Sequence, residues 1–253
     1  MKLSTLEIIA HSDRLRAANR WSECFFREVE SRNQKTIVGL CGGRSIVPLL
    51  EQLVERAEDI SRERWGQIEF FMVDERLVPL DDEASNFRSI SPFLARLIEG
   101  DFIVEGQIHP FCFDPQREDL GLVHYNNEFA KHGGLFDIAL LGVGEDGHVA
   151  ALFPRHRVLE QEEARFVAFD DSPKLPAARM TCTLQLLARA GMLTGIVFGH
   201  EKGNALQRLA DQDISLVDCP AKVITCVPNA YIVTDLVNHP AVEFDCKRQS
   251  RES

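Results

Sequence analysis

The run Asp137-Ile138-Ala139-Leu140-Leu141 carries no charge after its first residue and no polar alternation, and it stops at Gly142-Val143-Gly144-Glu145-Asp146-Gly147-His148. A run so short and so uniformly aliphatic suits a strand buried on both faces, the environment of a parallel sheet. The unit recurs. Thr36–Leu40 runs into Cys41-Gly42-Gly43-Arg44-Ser45, after which residues 46–57 read as a helix with Pro48 in its first turn, where a missing N–H costs little. Residues 68–73 run into Asp74-Glu75-Arg76, and residues 194–198 pass through Gly199 into a helix over 202–210.

Between these units the periodicity is helical. Leu15, Ala18, Trp21, Cys24, Phe25 and Val29 share one face of a helix over residues 11–30. A further strand is expected at 108–113, a helix at 119–131, a strand at 165–169, a helix at 184–190, and strands at 223–226 and 232–234, with a polar, frayed tail over 247–253. Strands alternating with helices imply an α/β fold: a largely parallel sheet covered by helices on both faces, with ligands beyond the carboxyl ends of the strands. With no internal repeat and no Gly/Ser linker, residues 1–253 are expected to form one domain.

Charge and cysteine usage narrow the function classes. A net charge of −11 leaves no basic footprint for nucleic acid and disfavours an anionic membrane surface, so an anionic ligand must meet locally placed Arg or Lys. The seven cysteines are scattered and never form a CxxC pair, which suggests neither a disulfide framework nor a zinc site. The histidines outside the Gly-rich loop show no metal-ligand spacing, and no metal site is assigned to them. No signal-peptide pattern opens the chain and no apolar run is long enough to span a membrane, so a cytoplasmic location is expected.

Every chemically rich cluster sits at the end of an expected strand. Gly42-Gly43-Arg44-Ser45 at a helix start offers backbone N–H groups, a guanidinium and a hydroxyl, either as a phosphate cradle or as a tight turn that needs glycine for geometry. It is not a P-loop, because the Gly-Lys-Ser/Thr ending is absent, and no GxGxxG fingerprint is present. Asp74-Glu75-Arg76 should face a wet cleft, since burying three charges unpaired is costly. Arg76 suits a phosphate through two parallel hydrogen bonds. Lys202 and Arg179 are further cationic candidates. Asp146 and His148, one residue apart in a Gly-rich turn, form a proton-transfer pair suited to neutral pH.

Taken together these boxes resemble the 6-phosphogluconolactonase family, within the group that includes glucosamine-6-phosphate deaminases. Residues 142–154 look like its GxGxDGHxASLFP signature, with alanine in the usual serine position. Gly42-Gly43, Asp74-Glu75-Arg76 with Ser85-Asn86, Arg179-Met180-Thr181, and Gly199 with Lys202 follow in the family's order. Arg44-Ser45-Ile46 departs from the commoner Ser-Thr-Pro, and Lys222 stands where a Pro-Ala-Ser pattern would end in serine.

The resemblance implies a Rossmann-like fold of the phosphosugar isomerase, deaminase and lactonase type. It also implies hydrolysis of 6-phospho-D-glucono-1,5-lactone to 6-phospho-D-gluconate in the oxidative pentose phosphate pathway. On that reading His148 is the general base for water and Asp146 orients it. Gly42, Gly43, Arg44, Ser45, Arg76 and Lys202 hold the phosphate, Arg179 serves phosphate or oxyanion, and no cofactor is expected. Leu152-Phe153-Pro154 replaces the Asn-Glu-Pro ending of the deaminase relatives and so lacks their ring-directed acid. The alternatives are a deaminase or isomerase acting in the same cleft, or a non-catalytic phosphosugar-binding protein.

Overall fold

The computed structural model describes residues 5–242. The chain opens with β1 (Thr5–Ala10) and α1 (Arg14–Glu30), followed by β2 (Thr36–Leu40), α2 (Val47–Glu55) and the short α3 (Arg62–Trp65). Next come β3 (Ile68–Met72), β4 (Asp74–Arg76), α4 (Asn86–Glu99), β5 (Ile108–His109), α5 (Leu122–Lys131) and β6 (Ile138–Gly142). The remainder is β7 (Phe166–Phe169), β8 (Arg179–Cys182), α6 (Leu184–Leu187), β9 (Met192–Val197), α7 (Gly203–Ala210) and β10 (Asn229–Thr234).

Seven strands form one sheet in the order β1-β10-β9-β6-β2-β3-β5, and every pairing in it is parallel. β2, β3 and β9 are buried at every position, as their nearly continuous apolar sequences require. Alternation along β3 sends Phe70 and Phe71 to opposite faces. Phe70 and Met72 join Ile90 and Leu94 of α4 in the core, while Phe71 meets Tyr125 and Phe129 of α5 at ring distances of 5.9 and 5.1 Å. The sheet is therefore covered by helices on both faces. α1 is tied down by Trp21, whose buried indole N–H donates to Thr194 Oγ1 of β9 at 2.9 Å.

The winding direction reverses at β2. From β2 the chain proceeds outward through β3 to β5, then returns to the other side of β2 as β6 and continues through β9 and β10. Loops leaving neighbouring strands at such a switch diverge and leave a crevice, where ligands of open α/β sheets bind. The loops leaving β2 and β6 are the Gly42–Ser45 and Gly142–His148 segments.

The structure corrects several expectations. The strand expected at 108–113 contains only Ile108–His109, because Pro110 removes a ladder donor. Residues 223–226 are not a strand but the end of a 3₁₀ turn that Pro220 opens. β1 escaped notice because it is an edge strand: of residues 6–10 only Ile9 is buried, and Glu7 faces solvent. The tail at 247–253 lies outside the described residues. A second sheet, β4-β8-β7, is antiparallel, and it sets Asp74 opposite Thr181 and Arg76 opposite Arg179. The six described cysteines are free thiols.

Candidate functional site

The loop after β6 is folded back on itself. The Gly144 N–H donates to His148 O and the Gly147 N–H to Gly144 O, both at 2.9 Å. Glycine is required at two points. A Cβ on Gly144 would stand 2.0 Å from His148 Cε1, and Gly147 has φ +85 with the Cys219 thiol 2.8 Å from the place its Cβ would take. At the root of the loop the Gly142 N–H donates to Cys41 Sγ at 3.2 Å, which joins the ends of β6 and β2.

This loop brings His148 Nδ1 within 2.5 Å of Asp146 Oδ1. The imidazole is largely covered and packs on the Phe153 ring at 4.8 Å, while the Asp146 carboxylate reaches solvent. Partial burial alone would raise the Asp146 carboxyl. The hydrogen bond and charge of His148, followed by the charge of Lys174, overcome that and hold it well below the usual carboxylate range. Lys174 Nζ lies 3.4 Å from His148 Nδ1 and 3.6 Å from Asp146 Oδ1. The sequence reading missed Lys174. Its only signal is a lysine between Pro173 and Pro176 in the stretch ahead of Arg179.

Asp74 and Glu75 do not face a wet cleft as expected; both are buried. Glu75 works as a cap. Its carboxylate accepts from the N–H groups of Asn86 (2.6 Å) and Phe87 (2.8 Å) at the start of α4, from its neighbour Arg76 N (2.8 Å) and from Ser85 Oγ (3.2 Å). Burial nevertheless raises its pKa against those bonds. Asp74 accepts from Asn86 Nδ2 at 3.0 Å; burial raises it too, opposed by the charges of Arg76 and Arg179, the Asn86 bond and the charge of His148. Asn86 in turn lies over Gly42, where a Cβ would approach its Oδ1 to 2.3 Å. Gly42 thus makes room for a side chain of the site.

The two arginines are differently engaged. Arg76 donates from Nη1 to Ala84 O at 2.5 Å, and its Nε is buried with no hydrogen-bond partner among the described residues. Arg179 is buried and donates from Nε to Pro176 O (2.9 Å) and from Nη2 to Lys174 O and Leu175 O (both 3.2 Å). It holds the loop that carries Lys174. Burial, then the charge of Arg76, lower its pKa.

On the other side of the crevice Lys202 Nζ donates to Ser45 Oγ at 2.8 Å. Burial lowers the lysine's pKa, opposed by Cys41, Glu201 and Glu145. Gly43 has φ +83, and its N–H is taken by Ser89 Oγ at 3.1 Å. Arg44 is exposed at the amino end of α2 and makes no ion pair among the described residues. The fold therefore gathers the expected residues into two groups: Asp146, His148, Arg76 and Arg179 with Asp74 and Lys174, and Gly42, Gly43, Arg44 and Ser45 with Lys202. Asn86, which bonds Asp74 and lies over Gly42, sets the groups side by side.

Fold and loops define the class: a doubly wound α/β protein with a His–Asp pair and cation-bearing loops at the carboxyl edge of its sheet. A sequence model of the family described as glucosamine-6-phosphate isomerases/6-phosphogluconolactonase matches residues 12–232, and the chain belongs to that family. The 6-phosphogluconolactonase of Borreliella burgdorferi is 31% identical over 213 residues, covering 84% of this chain and 88% of the relative. That of Mycobacterium tuberculosis is 32% identical over 215 residues, covering 80% and 84%. A crystal structure of 6-phosphogluconolactonase from Thermotoga maritima matches with a TM-score of 0.73 at 25% identity, over 91% of this chain and 99% of that one. A monomeric glucosamine-6-phosphate deaminase reaches the same TM-score of 0.73 at 17% identity, which is a likeness of fold alone. Among the described residues no helix is long and apolar enough to cross a membrane.

Proposed function

We propose that the chain, acting as one unit in the cytoplasm, hydrolyses 6-phospho-D-glucono-1,5-lactone to 6-phospho-D-gluconate in the oxidative pentose phosphate pathway. The observation that carries this reading is the Asp146–His148 contact of 2.5 Å at Nδ1. An ionised carboxylate there accepts the Nδ1 proton and leaves the Nε2 lone pair free to take a proton from water. Water adds to the lactone C1 carbonyl as its proton passes to Nε2. The tetrahedral intermediate then expels the ring oxygen, which recovers that proton from the imidazolium. A lactone is an activated ester, so general-base catalysis of about 10² to 10⁴-fold plus positioning meets the demand of this step. Lys174 brings positive charge to the oxyanion, and Arg179 positions it by holding its loop. Lys202, Ser45, Arg44 and the Gly42 turn hold the phosphate, and the buried Nε of Arg76, without a hydrogen-bond partner among the described residues, completes the anion site.

The deaminase reading shares the fold. Against it, position 153 is a phenylalanine packed on the His148 ring, so that position presents no acid beside the base. The test is hydrolysis of freshly generated lactone, corrected for spontaneous opening, alongside ammonia release from glucosamine 6-phosphate. Lactone turnover without ammonia supports the lactonase, and ammonia release replaces it with the deaminase. Absence of both, with tight phosphosugar binding, would make the protein a binder.

A further inference from the structure

The sequence spacing assigned no metal ligands, yet the fold brings three together far from the crevice. Glu69 is the second residue of β3, His109 ends β5 and His132 follows α5 directly; no two are near in sequence. Their ligand atoms all lie within 4.8 Å of one another. His109 Nε2 is 2.9 Å from Glu69 Oε2, and His132 Nδ1 is 3.4 Å from Glu69 Oε1. Ligands around a tetrahedral ion with bonds near ~2.1 Å stand about 3.4 Å apart, so these pairs need little adjustment. Among the described residues no other group of His, Cys, Asp and Glu meets this condition.

We propose that Glu69, His109 and His132 bind a divalent first-row transition ion, of which zinc is the representative, as a clamp between β3, β5 and α5. Four observations support it. The Glu69 side chain is 5% exposed and the two imidazoles 12% and 15%, so the donors sit in a pocket and not on an open surface. Glu128 Oε1 lies 3.4 Å from His132 Nε2, the outer carboxylate that fixes a ligating histidine with Nδ1 toward the metal. Phe71 stacks on His109 at 4.3 Å and edges onto His132 at 5.6 Å, which limits where the rings can move. Finally, the half-exposed Lys35 pairs with Glu69 Oε1, so this carboxylate already holds a positive charge, and the lysine's free stem can leave for an ion. Two imidazoles with one carboxylate and an open position suit zinc or cobalt better than magnesium or calcium.

Glu69 lies near the start of β3, His132 ahead of β6 and Lys35 ahead of β2, away from the loops that leave β2 and β6, so the role of the cluster is to hold elements together. The experiment is Zn²⁺ titration of the chelator-treated full chain, with Co²⁺ absorption and thermal melting as readouts. Expected are one equivalent bound, Co²⁺ d–d bands without thiolate charge transfer, a raised melting temperature and unchanged lactone turnover. Binding should vanish in His109→Ala/His132→Ala and persist in His148→Ala. Glu128→Ala, an outer change that spares the packed rings, should weaken binding about 10- to 100-fold. Should the double variant fail to fold, Glu128→Ala decides. Binding that survives loss of both histidines, that disappears with His148, or that Glu128→Ala leaves unaltered would overturn the proposal. So would binding that appears only in Lys35→Met, which would make the lysine the native cation.

Discussion

His148 is held at one ring nitrogen and backed by one aromatic ring, and its usefulness depends on that hold. His148→Ala should lower kcat by about 10² to 10⁴-fold with melting temperature little changed. Gly144→Ala is the sharper test of geometry: its Cβ would displace a ring whose nearest atom is 2.0 Å away, and a displaced base costs about 10²-fold. Melting followed by circular dichroism should show that chain still folded. Asp146 gives a pH signature. Its folded carboxyl is held below the ordinary value, so it contributes stability that is present above about pH 4 and fades as pH falls through the folded pKa. Asp146→Asn should therefore be less stable than the parent at neutral pH and converge with it in acid, as paired denaturant titrations will show. The contribution is modest, because the pair is partly solvated.

At the scale of elements, α4 is the strut of the site. Glu75 satisfies its first N–H groups, and Asn86 at its first position lies over Gly42 and bonds Asp74. Glu75→Ala leaves buried donors unpaired, so a loss of about 1–3 kcal/mol is expected by urea unfolding, with kcat reduced as Asn86 shifts. Lys202→Met should raise KM for the phosphorylated lactone far more than it lowers kcat, because in the proposed site the lysine binds a group remote from the reacting carbonyl. These elements were unevenly legible in the sequence. The buried strands were, because Ile138–Gly142 and Thr36–Leu40 have no polar alternation to mislead. β4 was not: Asp74-Glu75-Arg76 reads as a solvated cluster until the antiparallel partner β8 and the cap of α4 supply the bonds that make burial tolerable. His148 and Asp146 announced themselves within one loop. Lys174 and the Glu69, His109 and His132 group did not, because their neighbours come from distant segments that only the finished fold brings together.

The whole molecule is organised about the reversal at β2. One parallel sheet places the loops after β2 and β6 side by side, and the small antiparallel sheet carries Arg76, Arg179 and the Lys174 loop over the same edge. One edge thus carries cations on a protein whose net charge is −11, so raising salt should weaken phosphorylated-substrate binding while leaving kcat nearly constant. The most direct test of the account compares turnover of 6-phosphogluconolactone with that of its unphosphorylated counterpart, in the parent chain and in His148→Ala. Fast hydrolysis of the phosphorylated lactone alone is expected, with its collapse when the imidazole is removed. Equal rates on both lactones, or an undiminished rate without His148, would contradict it.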